Sequence, residues 1–177
     1  MTTSYIYRTA VKSDKKPIIK FLETYFVHDE PSVRATNLSV KELHPIFKEV
    51  VKRCLKHPLS TVVTTEHGEV VGVLLNSVWK REEFERDKTQ DEAIGGLSET
   101  MLRYLKALQK FHDEYWSLVP SDVNTVIYRE LSSVGKPWQH QGIATEMLAR
   151  SRKAAKLFGV DGVVPARPSH ANKPLLA

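Results

Sequence analysis

The stretch from Val126 to Phe158 restricts the fold more than any other part of the chain. A strand-like run, Val126-Ile127-Tyr128-Arg129-Glu130-Leu131-Ser132-Ser133-Val134, is broken by Gly135-Lys136-Pro137-Trp138-Gln139-His140-Gln141-Gly142-Ile143-Ala144, and a helix-like run follows from Thr145 to Phe158. Gly142 therefore falls where a loop becomes a helix. The first-turn N–H groups of a helix have no intrahelical partner and carry the positive end of its dipole, and a glycine there lets a bound group approach the backbone. The junction suits an anion such as phosphate. It is not a mononucleotide P-loop, because Gly135-Lys136 is followed by Pro137 rather than serine or threonine, and it is not GxGxxG.

The remaining elements read from periodicity and turn chemistry. Tyr5 to Ala10 alternates and carries β-formers, which predicts a first strand. Ser13-Asp14 is expected to cap a helix running to about Phe26, with Pro17 tolerated in its first turn and Ile18, Leu22, Tyr25 and Phe26 on one face. Ser39-x-x-Glu42 has capping-box spacing, but Pro45 would break a helix interior, so a short turn and then a second helix from Pro45 to His57 are expected. Ser60 to Thr65 and Val70 to Val78 flank Glu66-His67-Gly68-Glu69 and predict an antiparallel hairpin. Lys80 to Gln90 reads as a solvated connection, and Leu97 to Trp116 as a helix ended by Pro120-Ser121-Asp122. Gly159 to Val164 reads as a weak last strand. This order argues for an α+β fold with a largely antiparallel sheet flanked by helices.

With 177 residues, 41% hydrophobic and 27% charged, the chain suits one globular domain over 1–177. No apolar run approaches the ~20 residues that cross a bilayer, and the start lacks an apolar signal core, so no membrane partner is expected. A single cysteine, Cys54, cannot form an internal disulfide, which points to a reducing compartment and a cytoplasmic location. The net charge of +5 is spread over every segment rather than gathered in a block, so nucleic acid is not expected. The histidines show neither HxxxH nor HExxH spacing, and no metal site is expected. Cys54 lies on an apolar helical stripe, which reads as core rather than nucleophile. Trp79, Tyr115 and Trp116 are explained by core packing or by an aromatic acceptor pocket, with packing the stronger reading.

Gln139-x-x-Gly142-x-Ala144 resembles the Q/R-x-x-G-x-G/A loop with which the GNAT acyltransferase superfamily grips the pyrophosphate of acetyl-coenzyme A. From Ile6 to Ala177 the chain is similar to the animal, invertebrate-type aralkylamine N-acetyltransferase branch. Two further features carry that likeness: the acidic Asp29-Glu30-Pro31 after the first helix, and a long helical insertion before the motif strand. The resemblance implies a GNAT-like mixed, mostly antiparallel sheet, acetyl-CoA as donor, and a small amine as acceptor, possible arylalkylamines among them. A polyamine or protein N-acetyltransferase, and an inactive cofactor-binding module, stand as alternatives. A monomer or weak homodimer is expected. Relatives continue with a Gly-Phe-type turn and two more strands, whereas this sequence ends at Leu175-Leu176-Ala177, with Pro165, Pro168 and Pro174 where a strand and a helix are expected. The last two strands of the family are therefore expected to be missing.

Site roles follow from that resemblance and from the chemistry of acyl transfer. A free alkylamine has a pKa of ~10, so few molecules are nucleophilic at neutral pH without a base. The resemblance makes Glu30 that base. A backbone N–H near Val134 would meet the oxyanion, with Ser133 alongside to pair with the pantetheine arm as an added strand would. Gln141, Gly142, Ile143 and Ala144 would present amides to the pyrophosphate, and Gln139 and His140 would reach phosphate oxygens. Gln139 is neutral where many relatives carry arginine, which removes charge assistance. Ser169 is the candidate to help protonate the leaving thiolate, with the capping of a terminal helix as its other reading.

Overall fold

The computed structural model describes residues 4–83 and 98–164. Five strands form one sheet in sequence order: β1 (Tyr5–Thr9), β2 (Thr61–Thr65), β3 (Val70–Lys80), β4 (Thr125–Val134) and β5 (Gly162–Val164). The first four are antiparallel neighbours, and β5 joins β4 in parallel. The helices are α1 (Lys15–Phe21), α2 (Val27–Asp29), α3 (Pro31–Thr36), α4 (Val40–Cys54), α5 (Glu99–Leu118) and α6 (Ile143–Phe158).

Alternation along the strands sends successive side chains to two separate cores. On one face Val62, Val73, Leu75 and Leu131 pack with Ile18 and Leu22 of the first helical stretch, Phe47 and Val51 of α4, and Met101 of α5. On the other face Val63, Val71 and Leu74 pack under Ile143, Met147 and Leu148 of α6. Val62, Val63, Val73 and Leu74 are fully enclosed, and burial of each such side chain stabilises by about 1.5–3 kcal/mol. Gly72 allows α6 to lie close, since a Cβ there would stand 3.3 Å from the Ile143 Cγ2.

The antiparallel hairpin, the α+β layering and the strand–loop–helix unit agree with the sequence reading. Several local details differ. Asp14 does not cap α1 with its side chain, because Lys12–Asp14 already forms a 3-10 turn and puts Asp14 in helical conformation. Its carboxylate instead accepts the Val11 N–H at 2.8 Å and two Arg8 N–H groups at 2.7 Å each. The Arg8 bonds, with the Val11 N–H, hold the Asp14 carboxyl below its ordinary value. The first helical stretch also passes Phe26, turning π-helical over Leu22–Phe26 and ending with α2 at Asp29.

The second helix begins at Val40, not Pro45. Ser39 Oγ accepts the Glu42 N–H at 3.3 Å while a Glu42 carboxylate oxygen accepts the Ser39 N–H at 3.0 Å, so the capping box sets the start. Pro45 lies inside α4 on its exposed side, where water can satisfy the carbonyl one turn earlier. The helix then stops at Cys54 rather than His57. Finally, α3 has no counterpart in the sequence reading, and β3 extends through Lys80.

Candidate active site

β4 and β5 pair in parallel over three positions. Their pairing covers Val126, Ile127 and Tyr128 against Gly162, Val163 and Val164, and from Arg129 onward the β5-facing edge of β4 has no strand partner among the described residues. A bulge lies at the same level: Leu75 faces Leu131 and Asn76 faces Arg129, leaving Glu130 as the extra residue on β4. The Glu130 Oε1 accepts bonds from Arg53 Nε at 2.8 Å and Ser77 Oγ at 2.7 Å, which ties the bulge to the end of α4 and to β3.

Backbone alternation decides which groups of β4 face away from β3. The Gly135 N–H donates to the Val71 carbonyl at 2.9 Å, so residues 135 and 133 turn their polar groups towards β3. Val134 and Ser132 then turn theirs to the opposite edge, while Ser133, the residue expected beside the cofactor arm, faces Val73 of β3. The signal that could have found this is the strand period once the register is known.

Beyond β4 the chain makes a 3-10 turn, Lys136–Trp138, and enters the loop to α6. Gly135 has to be glycine: a Cβ there would lie 2.8 and 2.9 Å from the Trp138 ring. His140 and Gly142 both take positive φ, at 61° and 80°. A left-handed histidine is strained, and such strain gathers where loop geometry is functional. Gly142 is the N-cap residue of α6, without a side-chain cap, so the first-turn N–H groups stay open to a ligand. A Cβ added at Gly142 would meet nothing within 4 Å, which describes a backbone facing open space. Gln141 and His140 are exposed beside it, while the Ile143 side chain is buried under α6 and the Ala144 side chain is half-buried. The Tyr5 hydroxyl donates to Gln141 Oε1 at 2.6 Å and anchors the loop to β1.

Gln139 stands elsewhere than expected. Its Nε2 donates to the Val134 carbonyl at 2.9 Å and to Asp29 Oδ2 at 3.1 Å, so the amide bridges the motif strand and the acidic turn instead of facing the anion loop. The neutral amide suits this position, since it can give one hydrogen to a carbonyl and the other to a carboxylate.

The π-helical segment explains how the acidic turn reaches the strand end. One wider turn re-aims the side chains, so that Tyr25 meets Trp138 edge-on at 5.5 Å while Phe26 meets Phe47 inside the core at 6.0 Å. Glu30 follows in extended conformation and breaks α2 from α3; its carbonyl accepts the Arg34 N–H at 3.0 Å. It is half-buried. A cleft of about 380 Å³ opens between this turn and the loop, lined by Thr24, Tyr25, His28, Asp29, Lys136 and Pro137. The structure thus brings Asp29, Gln139 and Val134 together with Glu30 adjoining, and Ser169 lies outside the described residues. Cys54 is enclosed in the core, where burial pushes its thiol well above the usual value, consistent with a packing role. Among the described residues no group of three or more His, Cys, Asp or Glu side chains could hold a metal ion.

Comparison with solved structures gives a consistent answer. The chain superposes on arylalkylamine N-acetyltransferase 2 from Aedes aegypti with a TM-score of 0.77 at 17% identity, covering 98% of this chain and 80% of that one. The chain has the GNAT acyltransferase fold. A Drosophila melanogaster polyamine N-acetyltransferase that forms N-acetylagmatine matches with a TM-score of 0.75 at 13% identity, over 98% of this chain and 80% of that one. An aminoglycoside N-acetyltransferase in complex with CoA matches more loosely, with a TM-score of 0.53 at 11% identity, over 98% of this chain and 83% of that one. No protein-family model matches the sequence, and no curated protein sequence matches it.

Proposed function

We propose that the chain transfers an acetyl group from acetyl-coenzyme A to the nitrogen of a small amine. The observation that carries this reading is the continuity of the β4 edge, which has no strand partner beyond Tyr128 among the described residues, with the open N-terminus of α6. One offers backbone donors and acceptors to an extended amide-bearing arm, and the other offers N–H groups to phosphates. The solved structures of this fold act on arylalkylamines, on polyamines and, in one case, in complex with CoA, which supports a small amine as acceptor.

Within this reading Ser132 stands beside the pantetheine arm, and the N–H groups of Gln141, Gly142, Ile143 and Ala144 hold the pyrophosphate. His140 shapes the loop through its left-handed backbone. The Val134 N–H, on the open edge, faces the developing oxyanion. Glu30 takes the ammonium proton, directly or through water, from a turn that Asp29 and Gln139 hold beside the strand end. Coenzyme A supplies an activated acyl group and a thiol of pKa ~8.5 that leaves without a dedicated acid. A free, buried Cys54 fits a reducing compartment such as the cytoplasm, and no described helix is long and apolar enough to cross a membrane.

The test is release of CoA thiol from acetyl-CoA in the presence of arylethylamines, agmatine and linear polyamines, each with mass detection of the N-acetyl product. Amine-dependent release supports the reading. CoA binding with no product from any amine would leave only a binding module.

A further inference from the structure

Val134 ends β4, and one of its two backbone groups is already taken. Its carbonyl, on the side away from β3, accepts the Gln139 side-chain amide at 2.9 Å, and the second amide hydrogen goes to Asp29 Oδ2 at 3.1 Å. Both partners only accept, which fixes the orientation of the amide. The loop is shaped to deliver this side chain. The Trp138 N–H donates to the Gly135 carbonyl at 2.8 Å and the Gln139 N–H to the Lys136 carbonyl at 3.4 Å, so the 3-10 turn folds Gln139 back across the strand end. The Trp138 ring, packed over Gly135 and edge-on to Tyr25, holds that turn. By strand alternation the Val134 N–H points to the same side as its carbonyl. An extended chain that pairs with a strand uses both the N–H and the C=O of every second residue. Ser132 lies where this edge has no strand partner among the described residues and offers both groups, whereas Val134 offers its N–H alone.

We propose that Gln139 is a positioning residue that sets the register of the donor on β4: by occupying the Val134 carbonyl it stops the pantetheine arm at Ser132 and keeps the Val134 N–H for the oxyanion. The inference rests on the acyl-transfer reading. Without the Gln139 cap the arm can pair one step further, at Val134. A strand repeats every two residues, so that step is roughly 7 Å and carries the thioester past the N–H, which the arm itself then consumes. The slipped complex holds the donor and does not react. Gln139 thus lowers donor affinity and favours the reactive placement.

The experiment compares the full chain as wild type, Gln139→Met and Asp29→Ala. Methionine keeps the shape of the side chain and removes both donated hydrogens; Asp29→Ala releases the acidic turn and leaves the Val134 carbonyl capped. In calorimetric titrations Gln139→Met should bind CoA ~3- to 10-fold more tightly than the wild type, the scale of one neutral hydrogen bond gained. Asp29→Ala should bind CoA as the wild type does. By NMR, bound CoA should protect the Val134 amide from exchange in Gln139→Met and not in the wild type. With the amine that the wild type acetylates fastest, the KM of Gln139→Met for acetyl-CoA should fall along with kcat, the mark of a competing unreactive complex. CoA affinity in Gln139→Met equal to or weaker than wild type would overturn the proposal, as would an equal tightening in Asp29→Ala or a KM that stays or rises. Should Gln139→Met not fold, the wild type decides alone: a Gln139 side-chain amide that stays slow to exchange in the CoA complex supports the proposal, and its release on CoA binding overturns it. Absence of any CoA binding by the wild type would overturn the acyl-transfer reading and this inference with it.

Discussion

Two glycines at opposite ends of α6 permit a controlled test of the anion loop. Gly142 is the N-cap residue at φ 80° and Gly159 the C-cap residue at φ 75°, and a Cβ at either would meet nothing within 4 Å. Alanine at either position is therefore a conformational rather than a steric change. Left-handed backbone costs a non-glycine residue about 1–2 kcal/mol, and reduced freedom of the unfolded chain offsets about 0.4–1 kcal/mol. Each of Gly142→Ala and Gly159→Ala should destabilise by ~1 kcal/mol and lower the melting temperature by about 2–4 °C. The two variants part only when CoA is added. The space beside Gly142 is where a pyrophosphate would stand, so a methyl group there should disturb a hydrogen bond to a charged oxygen and weaken CoA binding by ~10- to 100-fold. Gly159→Ala should bind CoA as the wild type does. Melting curves and calorimetric titrations of the three proteins decide it: equal CoA affinities in Gly142→Ala and Gly159→Ala would refute the placement of the phosphates.

Three other expectations concern the acidic turn and the sheet edge. Glu30→Gln keeps size and removes basicity, so the acetylation rate at neutral pH should fall by ~10²-fold, with the deficit shrinking as pH approaches the amine pKa, read from pH–rate profiles of both proteins. Gln139→Leu removes the bridge to Asp29 and Val134, and amide hydrogen exchange over residues 27–36 should accelerate by roughly 10-fold with α4 unaffected. Asp14→Asn should cost about 1–3 kcal/mol in denaturant melts at pH 7, since it weakens the bonds to Arg8 and Val11. Because the folded carboxyl titrates below the ordinary 3.8, its contribution is present above that value and is lost as pH falls through the folded pKa, where the two proteins should converge.

Features governed by local rules were legible in the sequence. The β2–β3 hairpin follows from two β-rich runs around Gly68, which takes φ 82° in the turn, and the β4–loop–α6 unit follows from the strand run, Gly142 and an amphipathic stripe. Pro45 misled because exposure, invisible in the sequence, decides whether its missing hydrogen bond matters. Asp14 misled because its partner, Arg8, lies on the preceding strand rather than in the helix it was expected to cap. The site shows the same division. The loop-to-helix junction at Gly142 was legible from spacing, whereas which of Ser132 and Ser133 faces β3 depends on register. The Gln139 bridge depends on a π-helical turn over 110 residues away in sequence.

The central claim is that coenzyme A lies along the open edge of β4 with its phosphates at the start of α6. Amide-resolved NMR titration of the full chain with CoA tests this most directly. The account predicts the largest shifts at Ser132, Val134 and the Gln141–Thr145 amides, with the C-terminal half of α6 and strand β1 beyond Tyr5 little changed. Saturable shifts centred elsewhere, or none at millimolar CoA, would contradict it.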